Sequence, residues 1–535
     1  MKKFLSLLVA LVLCLGTVAF ADPVITEPAW DEEMIDAEIV VYMRSNQGVA
    51  DDIWWWDFCR EYFKINFTVT QTTSASDYKS IAFMGGEMPD VFYQLFMSCN
   101  QQTEMGDLNG FLLELQDYIT PELMPNLSRI FEAHPEYKEM LKTQTGAIYG
   151  LGAFNNAEDA NTKFYINQRW LDEAGLEVPS TLEEFETVLA AFKERKGLDG
   201  SDVTPMGGDY GNCPRYLANA LGWVPNAASY LTSIALYGED LTPEFIYGNK
   251  EMFPVFMQYM KKWIDAGYFS ANLFASQVAG DEANALKAND AVGFEQNYSN
   301  ALDTTEWTAA KFLTSEYNAT SRVGRSYNAV NNQSFSLASD VDPEKIERLI
   351  KWADWHYDYN NYQLSHRGPS AEDTEWLCDL KSGWTVYKNE KDMWAYDCAE
   401  IQDGTCGSFG DYQNKYVQGI IGSYFGLGID MFGESIWPEN PTVYEHKEDE
   451  NILPYIVDPY PQIAFFSLED VEKTSSLSAA INTYVNEQYA AFVTGVQEIN
   501  EENLEAYFAQ LDKLGFQEYQ QIYVDYYNTY VLGNN

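Results

Sequence analysis

Three consecutive tryptophans, Trp54-Trp55-Trp56, stand a short distance after the polar run Ser45-Asn46-Gln47. Indole faces stack on the apolar C–H faces of sugars, and neighbouring amides and hydroxyls bond the sugar hydroxyls, so this pairing of residue types suits non-covalent recognition of a polyhydroxylated ligand. Successive helical residues turn by about 100°, so three tryptophans in a row cannot all face one core, and Trp54 or Trp55 is expected to reach solvent or a cleft. A purely structural aromatic cluster is the competing explanation. The chain is rich in such rings, with 14 Trp, 37 Tyr and 30 Phe, and most of them must be packing, so position has to discriminate. Beyond the tryptophans, Gly207-Gly208-Asp209-Tyr210-Gly211-Asn212 displays Asp209 and Tyr210 on a glycine-rich turn, suited to vicinal hydroxyls or equally to an ordinary Asx turn. His366-Arg367-Gly368 with Glu375-Trp376 supplies Arg367 and Trp376, whose neighbouring charges a surface ion pair would also explain. Tyr424 and Trp437 flank Gly426-Leu427-Gly428.

The bond-making chemistries leave fewer traces. A glycosidase needs two carboxyl groups about 5–10 Å apart, and among 81 Asp and Glu no local motif singles out such a pair. There is no Gly-x-Ser-x-Gly elbow, and His134, His356, His366 and His446 form no His-Glu-x-x-His arrangement. Gly426-x-Gly428 lacks the third glycine of a dinucleotide fingerprint, and no EF-hand spacing is present, so no cofactor or metal is expected. Against those 81 acids stand 33 Lys and Arg, a net charge of −48, which argues against nucleic acid and anionic lipid as partners. The same field favours a neutral or cationic ligand. Cys59, Cys99, Cys213, Cys378, Cys398 and Cys406 are dispersed; Cys398 and Cys406 are near enough for a local disulfide, with buried thiols as the alternative.

These residues need elements to position them. Lys2 and Lys3, an apolar run from Phe4 to Leu15, and Ala19-Phe20-Ala21 form a signal-peptide pattern over residues 1–21, which predicts an exported protein. Cys14 follows Leu13 inside the apolar segment, which is not a lipid-attachment pattern. Ile39 to Met43 reads as a strand buried on both faces, 51–63 as a helix, Ile65 to Val69 as a second strand, Tyr78 to Met84 as a helix, and Pro89 to Tyr93 as a third strand. That order predicts an open parallel α/β sheet. In such sheets ligands lie beyond the carboxyl ends of strands, which selects Trp54, Trp55, Tyr93 and Gln94, and also Phe154 and Asn155 after the Tyr149 loop. Ser180-Thr181 with Glu183-Glu184 begins a helix, Phe253 to Ile264 forms another ended by Gly267, Pro343 starts a third, and Leu477 to Phe492 precedes Gly495.

Several segments in order resemble the family-one extracellular solute-binding proteins of ABC importers, in particular the large oligosaccharide-binding branch. They are Gly85-Gly86-Glu87-Met88-Pro89-Asp90-Val91-Phe92, Thr145-Gly146-Ala147-Ile148-Tyr149-Gly150-Leu151, Tyr165-Ile166-Asn167 through Ala174-Gly175-Leu176 to Pro179-Ser180-Thr181, and Phe492-Val493-Thr494-Gly495. The resemblance implies a two-lobed α/β fold of the periplasmic-binding-protein kind, each lobe an open, mostly parallel sheet flanked by helices, with a helix-rich second lobe and C-terminus. On that pattern residues 22–155 form the first lobe, 156–335 mainly the second, and 336–535 helical segments shared between them. It further implies that Glu295, Asn297 and Tyr298, at a strand end after Ala291-Val292, line the cleft. A monomer holding a carbohydrate, closing by hinge bending and docking on the permease subunits of an importer outside the cell membrane, is the implied function. A glycoside-active enzyme and a peptide or polyamine receptor on the same fold are the alternatives. The stretches 300–335 and 392–440 depart from the family pattern.

Overall fold

The computed structural model describes residues 33–43, 47–155, 160, 162–207, 213–225, 231–269, 285–296, 306–325, 330–331, 334–378, 380–388, 394–418, 425–436 and 447–533. The predicted leader and the candidates Asp209, Tyr210, Asn297, Tyr298, Tyr424 and Trp437 lie outside the described residues.

The first strand, β1 (Ile35–Tyr42), is buried on both faces from Ile39 to Val41, as a continuous apolar run in a central parallel strand requires. α1 (Trp54–Phe58) is prolonged by a wider turn over Cys59–Phe63, and Lys64, at φ 54°, reverses the chain into β2 (Ile65–Thr72). Ser74 caps α2 (Ala75–Gly85) by accepting from the Asp77 amide, and Gly86 ends it at φ 72°, where a Cβ would be strained. β3 (Val91–Tyr93) follows, and β1 pairs in parallel with both β2 and β3. The predicted strand-helix-strand-helix-strand order of the first lobe is therefore present.

After β4 (Ala153–Phe154) the chain enters a second hydrophobic interior through β5 (Phe164–Asn167). Thr181 and Glu184 close a reciprocal capping box at the start of α3 (Leu182–Lys193), as their spacing predicts. α4 (Met252–Asp265) buries Phe253, Phe256, Met257, Met260 and Trp263 and stops just before Gly267, at φ 68°. β6 (Phe294–Gln296) and β7 (Trp307–Ala309) flank β5, both antiparallel to it. This corrects the expectation of a mostly parallel second sheet. Among the described residues a parallel bridge joins its edge, between Met206 and Phe294.

The chain then returns to the first interior. β8 (Phe335–Leu337) completes the first sheet in the order β8-β3-β1-β2 and lies antiparallel to β3. α5 (Pro343–Trp355) starts at Pro343 behind an Asp342 cap; α6 (Tyr359–Arg367) and β9 (Gly426–Leu427), parallel to β4, follow. α7 (Leu468–Val493), α8 (Glu501–Lys513) and α9 (Phe516–Tyr526) pack mainly on the second interior. α7 begins well before the predicted Leu477, at a Ser467 cap that accepts from the Asp470 amide.

The segments that cross between the two interiors are tied to one another by backbone. Val323-Gly324 pairs in parallel with Ile456-Val457, the Arg325 amide donates to Val457 O at 2.7 Å, and the Asn331 amide donates to Ala153 O at 2.9 Å. Arg325 also meets Asp458 at 2.6 Å. Along the last crossing, Ile463 and Phe465 belong to the first interior, whereas Ala464 and Phe466 belong to the second.

Candidate functional site

At the carboxyl end of the first sheet two loops are built to fixed shapes. The segment after β1 is held by Gln71, whose Oε1 accepts from the Ala50 amide at 3.1 Å and whose Nε2 donates to Gly48 O at 3.4 Å. Gly48 lies against the backbone of Lys415, where a Cβ would come 2.6 Å from the carbonyl oxygen, so only glycine fits. After β3, Gln94 and Phe96 both take left-handed backbone, at φ 59° and 54°, and residues other than glycine adopt it only at a cost of about 1–3 kcal/mol each. Such strain concentrates where a ligand or a neighbouring segment fixes the chain.

Gln94 is the most informative residue there. It is 1% exposed, its amide donates to Ser334 O at 2.7 Å, and neither its side-chain oxygen nor its side-chain nitrogen has a partner. The register of β3 against β8 pairs Tyr93 with Phe335 and Phe92 with Ser336, which puts Ser336 beside Phe92 on the face away from Tyr93, whereas the left-handed turn at Gln94 leaves that alternation and brings its amide near the Tyr93 hydroxyl. Both serine hydroxyls are also buried and unpartnered. The four unpartnered polar atoms of Gln94, Ser334 and Ser336 cost about 1–3 kcal/mol each, a penalty that water or a ligand would relieve.

On the opposite face of β3, Tyr93 is sealed in the core. With its amide oriented to satisfy all three neighbours, Gln418 accepts from Tyr93 OH at 3.2 Å and from Trp55 Nε1 at 3.0 Å, and donates to Ser365 O at 3.1 Å. Burial holds the Tyr93 hydroxyl far above the usual phenol range. Tyr93 thus anchors the strand instead of facing a cleft, which corrects its placement among ligand contacts.

The tryptophan cluster is corrected in the same way. Trp54, Trp55 and Trp56 are 2%, 0% and 7% exposed. The angular argument presumed one core on one side of α1, whereas neighbouring segments cover the faces of all three tryptophans and leave only the Asp57–Arg60 side toward solvent. Trp55 packs on Phe58 at 5.6 Å, Trp355 at 5.7 Å and His356 at 5.3 Å, while Trp54 Nε1 donates to Trp376 O at 2.6 Å. Trp376 itself lies edge-on to Phe58 and Tyr62, so it closes this cluster and offers no open platform. Phe154 is core as well, between Phe131, Tyr137 and Tyr357 at 5.6–6.0 Å; Asn155, half-buried, abuts Gly428. Arg367 is spent locally: its Nε donates to Gln363 at 2.7 Å, and its guanidinium lies over the Tyr396 ring and bonds that hydroxyl. Glu295 is 1% exposed and meets Lys287 at 3.3 Å, a buried ion pair within the second lobe.

Residues that the sequence did not single out support this end of the first sheet. Ser334 and Ser336 are invisible as serines in an irregular stretch until the β3–β8 register is known, and Gln418 is 325 residues from its partner Tyr93. Lys79 and Gln101, within reach of the strained loop, carry no motif. Elsewhere, a shallow depression with room for little more than one water is lined by Asn126, Arg129, Tyr359, Asp430 and Phe432, but Arg129 lies 3.8 Å over Phe432 and is bound twice by Glu434. Among the described residues no three His, Cys, Asp or Glu side chains gather as a metal site, and no helix is long and apolar enough to cross a membrane.

No family model matches the chain. The fructooligosaccharide ABC transporter substrate-binding protein FusA of Streptococcus pneumoniae is 22% identical over 488 residues, 85% of this chain and 83% of FusA. The solved structure of the S. pneumoniae protein in complex with kestose superposes with a TM-score of 0.74 at 18% identity, covering 93% of this chain and 100% of that one. An HMO-binding, ABC-transporter-associated solute-binding protein of Bifidobacterium longum infantis superposes at 0.68, with 18% identity over 93% and 99% of the two chains. The architecture is accordingly that of the two-lobed solute-binding proteins.

Proposed function

We propose that this protein captures an uncharged oligosaccharide between its lobes and presents it to the permease of an ABC importer, without making or breaking a bond in it. The observation that carries the reading is similarity over nearly the whole length to a protein named for binding fructooligosaccharides, on a fold shared with kestose and nystose complexes. The unpartnered amide of Gln94 at the end of β3 supports it, because an amide without partners matches a ligand made of hydroxyls. The strong negative charge accords with a neutral sugar and disfavours nucleic acid, and a monomer in the cell envelope is the working form in this reading.

Calorimetric titration with kestose and nystose, beside maltotriose, amino acids and spermidine, tests this. Kestose or nystose is expected to bind and to raise the melting temperature, because a ligand held only by the native state adds stability by mass action. Hydrolysis products on prolonged incubation would overturn the receptor in favour of an enzyme. Binding of spermidine alone would favour the polyamine alternative.

A further inference from the structure

The strained loop at the carboxyl end of β3 is gripped from behind by a lysine. Lys79 projects from α2, is 6% exposed, and donates through Nζ to Phe96 O at 3.0 Å and to Gln101 Oε1 at 2.8 Å. Phe96 is itself one of the two left-handed residues, so the ammonium bonds the carbonyl of a residue whose backbone is strained. Gln101 Oε1 also accepts from the Ser98 amide at 3.2 Å, and the Gln101 amide donates back to Ser98 Oγ at 3.2 Å, closing a capping box. Gln102 Nε2 takes the adjoining carbonyl, Met97 O, at 2.9 Å.

A lysine so deeply buried is uncommon, and here no carboxylate among the described residues pairs with it. Burial lowers its pKa to about 8, so the ammonium persists near neutrality only with help from neutral acceptors. A merely apolar contact would be met by leucine or methionine at this position. What the charge adds is a short, charge-assisted grip on a carbonyl of the strained turn, two residues beyond Gln94.

We propose that Lys79 is a positioning residue for ligand capture: it holds the 94–98 loop in the strained form that aims the Gln94 amide at the bound sugar. The inference rests on the oligosaccharide reading above. In Lys79→Met the apolar stem is kept and the grip is lost. Hydrogen exchange of the amides at 94–98 is then expected to quicken about tenfold, with β1 and β2 unchanged, and kestose affinity to fall about tenfold while the melting temperature of the free protein moves little. A purely structural lysine would lower the melting temperature and leave affinity in the folded fraction as it was. Unchanged loop exchange, or a loosened loop with full kestose affinity, overturns the proposal. Gln101→Ala, which leaves the charge in place, gives a milder second test with the same expected signs should the first variant fold poorly. A wild-type protein that binds neither kestose nor nystose sinks the functional reading and the ligand half of this proposal, whereas the exchange measurement judges the loop half by itself.

Discussion

Replacing either of two buried groups at the end of α5 should expose a pH dependence that the wild-type protein conceals. His356 is fully buried among Trp55, Tyr93, Trp352, Trp355 and Phe425, with Nδ1 bonded to Trp352 O at 2.9 Å and Nε2 unpartnered; burial lowers its pKa to about 3. Asp354, two residues earlier, accepts from the Leu127 amide at 2.8 Å and from Asn126, yet burial outweighs these bonds and raises its pKa to about 7. The signs oppose. A histidine depressed in the folded state contributes stability that is present above about 6.5 and lost as pH falls toward 3. A carboxyl raised in the folded state contributes stability that is present below about 3.8 and lost as pH rises through 7. Between about pH 4 and 6.5 the unfolded chain therefore binds one more proton at His356 and one fewer at Asp354, and the two slopes cancel. Each slope alone is about 1.4 kcal/mol per pH unit, or roughly 3 kcal/mol across that window. Urea denaturation at pH 4 and pH 6.5 should show His356→Phe gaining about 3 kcal/mol relative to wild type on acidification and Asp354→Asn losing as much. The many surface acids affect all three proteins alike and drop out of the comparison. Parallel pH profiles for the three would refute the reasoning.

Other substitutions separate packing from capture. Trp55→Ala empties a fully buried site and should cost about 3–5 kcal/mol of stability, seen as a large fall in melting temperature; an unchanged melt would show that the ring is not core. Gln94→Leu removes two unpartnered buried atoms, so the free protein should be no less stable while kestose affinity drops about tenfold by titration calorimetry; equal affinity would remove Gln94 from the site. Gly426→Ala places a Cβ 2.3 Å from His356 O at a φ of 106°, and should cost more than about 2 kcal/mol by urea denaturation, with a wild-type midpoint counting against the close approach.

How much of this was legible in the sequence depended on how far each feature reaches. The capping box at Thr181 and Glu184 spans three residues, and the first and third strands declare themselves by apolar runs and the second by alternation, so local rules sufficed. The antiparallel second sheet depends on strands that lie over a hundred residues from β5, and no local pattern carries their direction. The tryptophans were misread because their surroundings come from Trp355, His356 and Trp376, about 300 residues later, which wrap a helix that looked one-sided. At the site, Gln94 was reached through a general rule about strand ends, while Ser334, Ser336 and Gln418 needed a register and a long-range contact that composition does not encode.

The run from Ile463 to Phe466 has a thermodynamic consequence. Its alternate side chains are sunk in different interiors, so melting either body would withdraw the anchors of the other. Such a stitch couples the two halves into one unfolding unit, and scanning calorimetry of the free protein should record a single endotherm whose calorimetric and van't Hoff enthalpies agree.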